Sequence, residues 1–222
     1  MTPMRAVARR FKDRTAAGVA LARELEQRHL KPPLLVLGLP RGGVAVAYEV
    51  ARELNAPLDV MLVRKIGMPG QPELAIGAIA SGNIVVREAR IEQNMPELTE
   101  TFETLVGAER RELERRERVF RAGRPPLALK DKTVILVDDG IATGSTMLAA
   151  VRAARQAGAT AIVAAAPVTS AEALGLIRAE ADEVVVVQVP RLLFAIGEWY
   201  EQFEQLEDTE VSRLLALHGN HP

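Results

Sequence analysis

The run Val134-Ile135-Leu136-Val137-Asp138-Asp139-Gly140-Ile141-Ala142-Thr143-Gly144-Ser145-Thr146-Met147 constrains this chain more than any other segment. Val134 to Val137 form a short apolar run that predicts a strand covered on both faces, the situation of a parallel sheet between helices. Two carboxylates, Asp138 and Asp139, stand where that strand must end. A loop of small and hydroxyl-bearing residues follows, and a helical run from Met147 to Gln156 begins directly after it. Such a turn aims the free backbone N–H groups of a helix N-terminus at one point, where hydrogen bonding and the helix dipole both favour an anion. Acids beside an anion cradle repel the anion unless they hold another part of the same ligand. A sugar diol hydrogen-bonds to them, and Mg²⁺ neutralises the remaining charge. The implied ligand is a phosphorylated sugar with free hydroxyls. No Gly-x-x-x-x-Gly-Lys-Ser/Thr occurs and no Gly-x-Gly-x-x-Gly follows a strand, so those two nucleotide loops are excluded.

The flanking segments repeat the strand–helix alternation. Phe11, Thr15, Val19, Ala22 and Leu25 recur at helical spacing, and Pro32-Pro33 stop that first helix after Leu30. Strands are predicted at Leu34–Leu39, Leu58–Val63, Ala161–Ala166 and Glu183–Gln188, and helices at Val44–Leu54 and Ala171–Ala181. Arg64 to Gln71 carries two Gly and a Pro without periodicity and reads as a mobile loop. Ala75–Ala80 and Ile84–Arg87 flank Ser81-Gly82-Asn83 as a hairpin. Glu97 to Arg121 reads as one long helix, whose mixed charges from Glu109 to Arg118 suit i,i+4 pairing on a solvated face better than nucleic acid. The fold class is therefore α/β, a mostly parallel sheet flanked by helices.

Composition narrows the function. The 222 residues suit one domain, 1–222, and the net charge of −1 argues against a nucleic-acid surface. Absence of Cys excludes thiol chemistry, and His29, His218 and His221 are too scattered for a metal cluster. No h-region and no apolar run of about 18 residues is present, so the expected location is the cytoplasm, away from membranes.

Ligands of open α/β sheets bind at the carboxyl ends of strands, and three predicted strand exits carry suitable residues. Besides the Asp138–Met147 run, Gly38-Leu39-Pro40-Arg41-Gly42-Gly43 sets a cation among glycines that let backbone approach an anion closely. Arg64-Lys65 add two cations at the third exit; a basic surface pair is the other reading. Phe194, Trp199, Tyr200 and Phe203 gather within ten residues although aromatics are 4% of the chain. Stacking on a heterocycle and packing of a C-terminal helix both use such a cluster.

The Asp138–Met147 segment resembles the phosphoribosyl pyrophosphate (PRPP) signature of type I phosphoribosyltransferases, and Gly38–Gly43 resembles their pyrophosphate loop. Phe11-Lys12-Asp13-Arg14 leading into Ala17-Gly18 is similar to a little-characterised bacterial branch of that family. The resemblance implies the type I fold with a small hood built from the N-terminal helix and residues 190–222. It implies a Mg²⁺-dependent transfer of phosphoribosyl from PRPP to a nitrogenous base, with release of pyrophosphate. Asp138 and Asp139 would take the ribose hydroxyls, Ala142, Thr143, Gly144, Ser145 and Thr146 the 5′-phosphate, and Arg41, Gly42, Arg64 and Lys65 the pyrophosphate. The stretch from Arg64 to Gly77 resembles the loop of adenine phosphoribosyltransferases, which places Glu73 near that family's catalytic Glu. Met68 stands where that pattern has a second Lys, and an exposed loop acid is the other reading of Glu73. Ala142 occupies the position of an Asp that handles a base proton in 6-oxopurine enzymes. Val189 to Gly197 resembles the 6-oxopurine hood, which implies a purine-like base on Phe194, read by the backbone of Ile196. A homodimer is also implied. A non-enzymatic regulator that senses PRPP is the alternative.

Overall fold

The computed structural model describes residues 10–88 and 99–219. Helix α1 (Arg14–Glu26) precedes β1 (Leu34–Gly38), α2 (Gly42–Glu53) and β2 (Leu58–Val60). A small antiparallel unit follows, β3 (Val63–Met68), β4 (Gln71–Ala80) and β5 (Ile84–Arg87). The chain then forms α3 (Thr99–Phe120), β6 (Thr133–Val137), α4 (Ser145–Gln156), β7 (Ala161–Val168), α5 (Ala171–Arg178), β8 (Glu183–Gln188), a 3₁₀ turn (Ile196–Trp199) and α6 (Asp208–Gly219).

Five strands form one sheet in the order β2-β1-β6-β7-β8, every neighbouring pair parallel. Residue alternation along each strand explains why both faces are covered. In β6, Ile135 and Val137 pack with Leu21 and Leu25 of α1 and Val46 and Val50 of α2. Val134 and Leu136 face the other way, onto Met147, Val151 and Ala154 of α4 and Ile177 of α5. The run Val134–Val137 is fully buried, as its composition requires.

The order reverses between β1 and β6, because β1 leads outward to β2 while β6 leads the opposite way to β7. That is where an open α/β sheet offers a crevice. Gly38 and Val137, the last residues of the two strands, are register partners, so the loops after them leave side by side.

Several boundaries differ from the sequence reading. Arg64 to Gln71 is a hairpin and not a free loop. β3 pairs with β4 from Val63↔Ala80 to Met68↔Gln71, and register shifts around Ile66, Gly67 and Met68 take up the glycine. Bulges of this kind blur the two-residue period, which is why the segment reads as aperiodic in sequence. The strand expected over Leu58–Val63 ends at Val60, and Val63 already belongs to the small sheet. Phe11 lies before α1, where Asp13 caps Ala16 N–H at 2.8 Å, and pairs with Tyr200 instead. Of the helix expected from Glu97, α3 is described from Thr99 onward. Its apolar positions Phe102, Val106, Leu113 and Phe120 are all buried within this chain, and Arg115 pairs with Glu112 at 2.8 Å on its outer face. No helix among the described residues is long and apolar enough to cross a membrane.

Gly107 sits in the interior of α3 with nothing within 4 Å of where a Cβ would lie. Gly107→Ala should therefore stabilise the fold by about 0.5–1 kcal/mol, read as a higher urea midpoint at unchanged slope.

Candidate functional site

The crevice at the reversal point gathers residues from four parts of the chain. Its floor is the exit of β6. Asp138 accepts a hydrogen bond from the backbone N–H of Asp139 at Oδ1, 2.8 Å, and Asp139 accepts one from Arg14 Nε at Oδ2, 2.8 Å. Each acid thus has one oxygen held internally. Burial pushes the Asp138 carboxyl well above the usual carboxylate range, and the neighbouring Asp139 charge pushes it further. Burial raises Asp139 as well, opposed by the Arg14 guanidinium.

The loop after β1 lies directly against these acids. A Cβ on Gly42 would overlap the Asp139 carboxylate, so only glycine allows this approach. A Cβ on Gly43 would come within 2.6 Å of the Val137 carbonyl oxygen and 2.8 Å of the Asp138 Cα. Arg41 precedes α2, with its guanidinium 3.9 Å from Asp208 at the start of α6. The loop after β6 reaches α4 through Gly144, whose φ of +81° is left-handed and suits glycine. No acidic residue occupies the first turn of α4, so nothing there opposes an anion. Ala142, Thr143 and Thr146 are exposed and Ser145 is half-buried. Thr143 Oγ1 and Ser145 Oγ lie 3.2 Å apart. From the small sheet Lys65 brings its Nζ to 3.4 Å from Ser145 Oγ, which sets a cation at the helix N-terminus.

Arg64, adjacent to Lys65 in a strand, points to the opposite face and pairs with Glu109 of α3. The structure therefore separates the two cations that the sequence reading grouped. Glu73 falls within β4, and its side chain lies outside the described residues. Ile196 packs on Gly140 of the Asp138–Met147 run, where a Cβ would overlap it. Phe194 is 80% exposed and belongs to no core cluster, whereas Tyr200 is buried against Phe11 and Phe203, with ring centroids 5.7 and 4.8 Å away. Of the aromatics gathered near the C-terminus, Tyr200 and Phe203 thus serve packing and Phe194 does not.

Four contributors were given no site role by the sequence, although Arg14 lies in the Phe11–Arg14 motif and Tyr200 in the aromatic cluster. Arg14 and Tyr200 reach Asp139 from distant segments, the latter donating to the Asp139 carbonyl at 2.6 Å. Ser170 donates to the Ala142 carbonyl at 2.7 Å and Thr169 to that of Ile141 at 3.2 Å, bracing the loop from the exit of β7. Only Ser170 has a legible local pattern, as the N-cap of α5.

Among the described residues no three metal-ligating side chains converge. A pair of hard carboxylates beside an anion cradle instead fits Mg²⁺ that arrives with a ligand's phosphates.

Comparison with known proteins gives a consistent pattern. Residues 10–202 match the profile of the phosphoribosyl transferase domain. Two curated proteins of Mycobacterium tuberculosis, from strains CDC 1551 and H37Rv, are provisionally named phosphoribosyl transferases. Each is 43% identical over 211 residues, covering 92% of this chain and 46% of its own length. The chain thus spans about half the length of the curated relatives it matches. The crystal structure of TT1426 from Thermus thermophilus superposes with a TM-score of 0.85 at 42% identity, covering 93% of this chain and 97% of that one.

Proposed function

The chain belongs to the phosphoribosyl transferase domain family, and on that premise we propose that it is a Mg²⁺-dependent phosphoribosyltransferase that moves phosphoribosyl from PRPP to a nitrogenous base, purine-like by preference. One observation carries the reading. The acid pair, the glycine loop and a helix N-terminus with its own lysine meet at the adjacent ends of β1 and β6.

In this reading the 5′-phosphate lies at the start of α4, held by N–H groups and hydroxyls from Ala142 to Thr146, with Lys65 beside it. The ribose diol lies over Asp138 and Asp139. Arg41 and the backbone around Gly42 face the pyrophosphate. Asp138 and Asp139 are the residues that would hold Mg²⁺, which would supply charge neutralisation on the diphosphate. The residues' share of the catalysis is positioning, together with negative charge beside a sugar carbon that becomes cationic as pyrophosphate leaves. Phe194 offers an uncommitted aromatic face for the base. Phe194→Ala should leave the melting temperature unchanged and weaken base affinity by about 1–3 kcal/mol, measured by saturation kinetics.

A PRPP sensor is the second reading, favoured by Ala142, which brings no acid or base to the position where 6-oxopurine enzymes carry an Asp. Glu73 is the candidate acid or base in the enzymatic reading. Pyrophosphate release from PRPP across a panel of bases decides between them. Release with one base establishes the enzyme, and tight PRPP binding without release establishes the sensor. A homodimer belongs to the same reading. Light scattering should show a dimer, and because Lys65 meets Ser145 within one chain, dilution to monomer should preserve PRPP binding.

A further inference from the structure

We infer that Arg14 is a positioning residue for the second acid of the pair, and that with Tyr200 it forms a clamp that sets Asp139 toward the ribose. The inference rests on the PRPP reading and extends it to two segments outside the signature loops.

Three contacts fix the Arg14 guanidinium. Nε donates to Asp139 Oδ2 at 2.8 Å, Nη1 donates to the Glu204 carbonyl at 2.8 Å, and the group lies 4.0 Å from the centre of the Phe203 ring. The side chain is 11% exposed. Tyr200 holds the same acid by its backbone, donating to the Asp139 carbonyl at 2.6 Å. Tyr200 is itself fixed by stacking on Phe203 and by the parallel bridge to Phe11, with Phe11 N–H to Trp199 O at 2.8 Å and Glu201 N–H to Phe11 O at 2.8 Å.

The physical case for positioning follows from the neighbour. Asp138 is the residue adjacent to Asp139, and two half-buried carboxylates side by side repel each other. Without the guanidinium, the Asp139 carboxyl loses the contact that holds it against rotation away from Asp138. A guanidinium bound at Oδ2 fixes the orientation of the Asp139 carboxyl and leaves Oδ1 turned away from Arg14. A largely buried ion pair is by itself weak support for a fold, because desolvation offsets much of the attraction. Its place on a sugar-facing acid, and its three-point fixation, assign it to the ligand. The segments around Arg14 and Tyr200 then act as one unit with the site, although 125 residues separate Arg14 from Asp139.

A double-mutant cycle tests this. Calorimetric binding of Mg²⁺–PRPP is measured for the wild type, Arg14→Gln, Arg14→Lys, Asp139→Asn and Arg14→Gln/Asp139→Asn, well below each protein's melting temperature. The expected result is a loss of at least about tenfold in affinity for Arg14→Gln, a smaller loss for Arg14→Lys, and a double mutant no weaker than Asp139→Asn alone. Wild-type affinity in Arg14→Gln, or losses that multiply in the double mutant, would overturn the clamp. A lower melting temperature with unchanged affinity assigns Arg14 to structure only and overturns it too. Should Arg14→Gln not fold, Arg14→Lys runs the same cycle, since it keeps the charge and loses the planar fork. A wild type that binds no PRPP overturns the functional reading itself, an outcome distinct from any of these.

Discussion

Asp138→Asn should weaken PRPP binding severely and at the same time make the ligand-free protein more stable at neutral pH. Both effects have one cause. Asp138 is half-buried next to another acid, with one backbone N–H donating to it, so burial and the neighbouring charge disfavour its charged form. Its carboxyl is raised in the folded state. The associated stability is therefore fully present below the ordinary carboxylate range and is lost as pH rises through the raised value. Asparagine removes this slope, and stability between acidic and neutral pH should flatten in melting experiments. Binding should weaken by on the order of 100-fold or more, since a charged acceptor for sugar hydroxyls is replaced by an amide. Asp139→Asn should differ in kind. It weakens binding and also strands the largely buried Arg14, so its melting temperature falls. The double variant Asp138→Asn/Asp139→Asn should show no Mg²⁺-dependent PRPP binding in calorimetry while still folding. Unchanged affinity there would exclude the acids from the ligand site.

Gly42→Ala carries the second large effect. A methyl group at Gly42 would occupy the space of the Asp139 carboxylate and also come within 3.1 Å of Arg14 Nε. Either Asp139 moves or the start of α2 does. Overpacking of this kind costs about 1–3 kcal/mol of stability. The loss of PRPP affinity should exceed the loss of stability, because displacing Asp139 breaks its contact with Arg14 and shifts the acid away from the diol together. Chemical denaturation gives the first quantity and calorimetry the second. Equal affinity in Gly42→Ala and wild type would show that the loop after β1 does not share a ligand with the acids.

The sequence by itself determined the elements whose signals are local. The double-faced burial of Val134–Val137, the glycine-mediated entry into α4, and the hydroxyl-rich loop follow from side-chain period and turn chemistry within a few residues. The order of alternating strands and helices implied the parallel sheet, and strand exits pointed to the crevice. Tertiary structure alone decided how the exits are furnished. Arg64 and Lys65 are neighbours in sequence, yet pairing in a strand turns one toward Glu109 of α3 and the other toward Ser145. Bulges at Gly67 hide that strand from a period-two reading. Four aromatics near the C-terminus read alike in sequence, and only packing separates Tyr200 in the core from Phe194 in solvent. Arg14 meets Asp139 because α1 lies beside the β1–β6 crevice, a contact that no short-range pattern encodes. Local chemistry sets which backbone conformations are cheap, whereas the partner of a charge is set by which distant surfaces the sheet brings together.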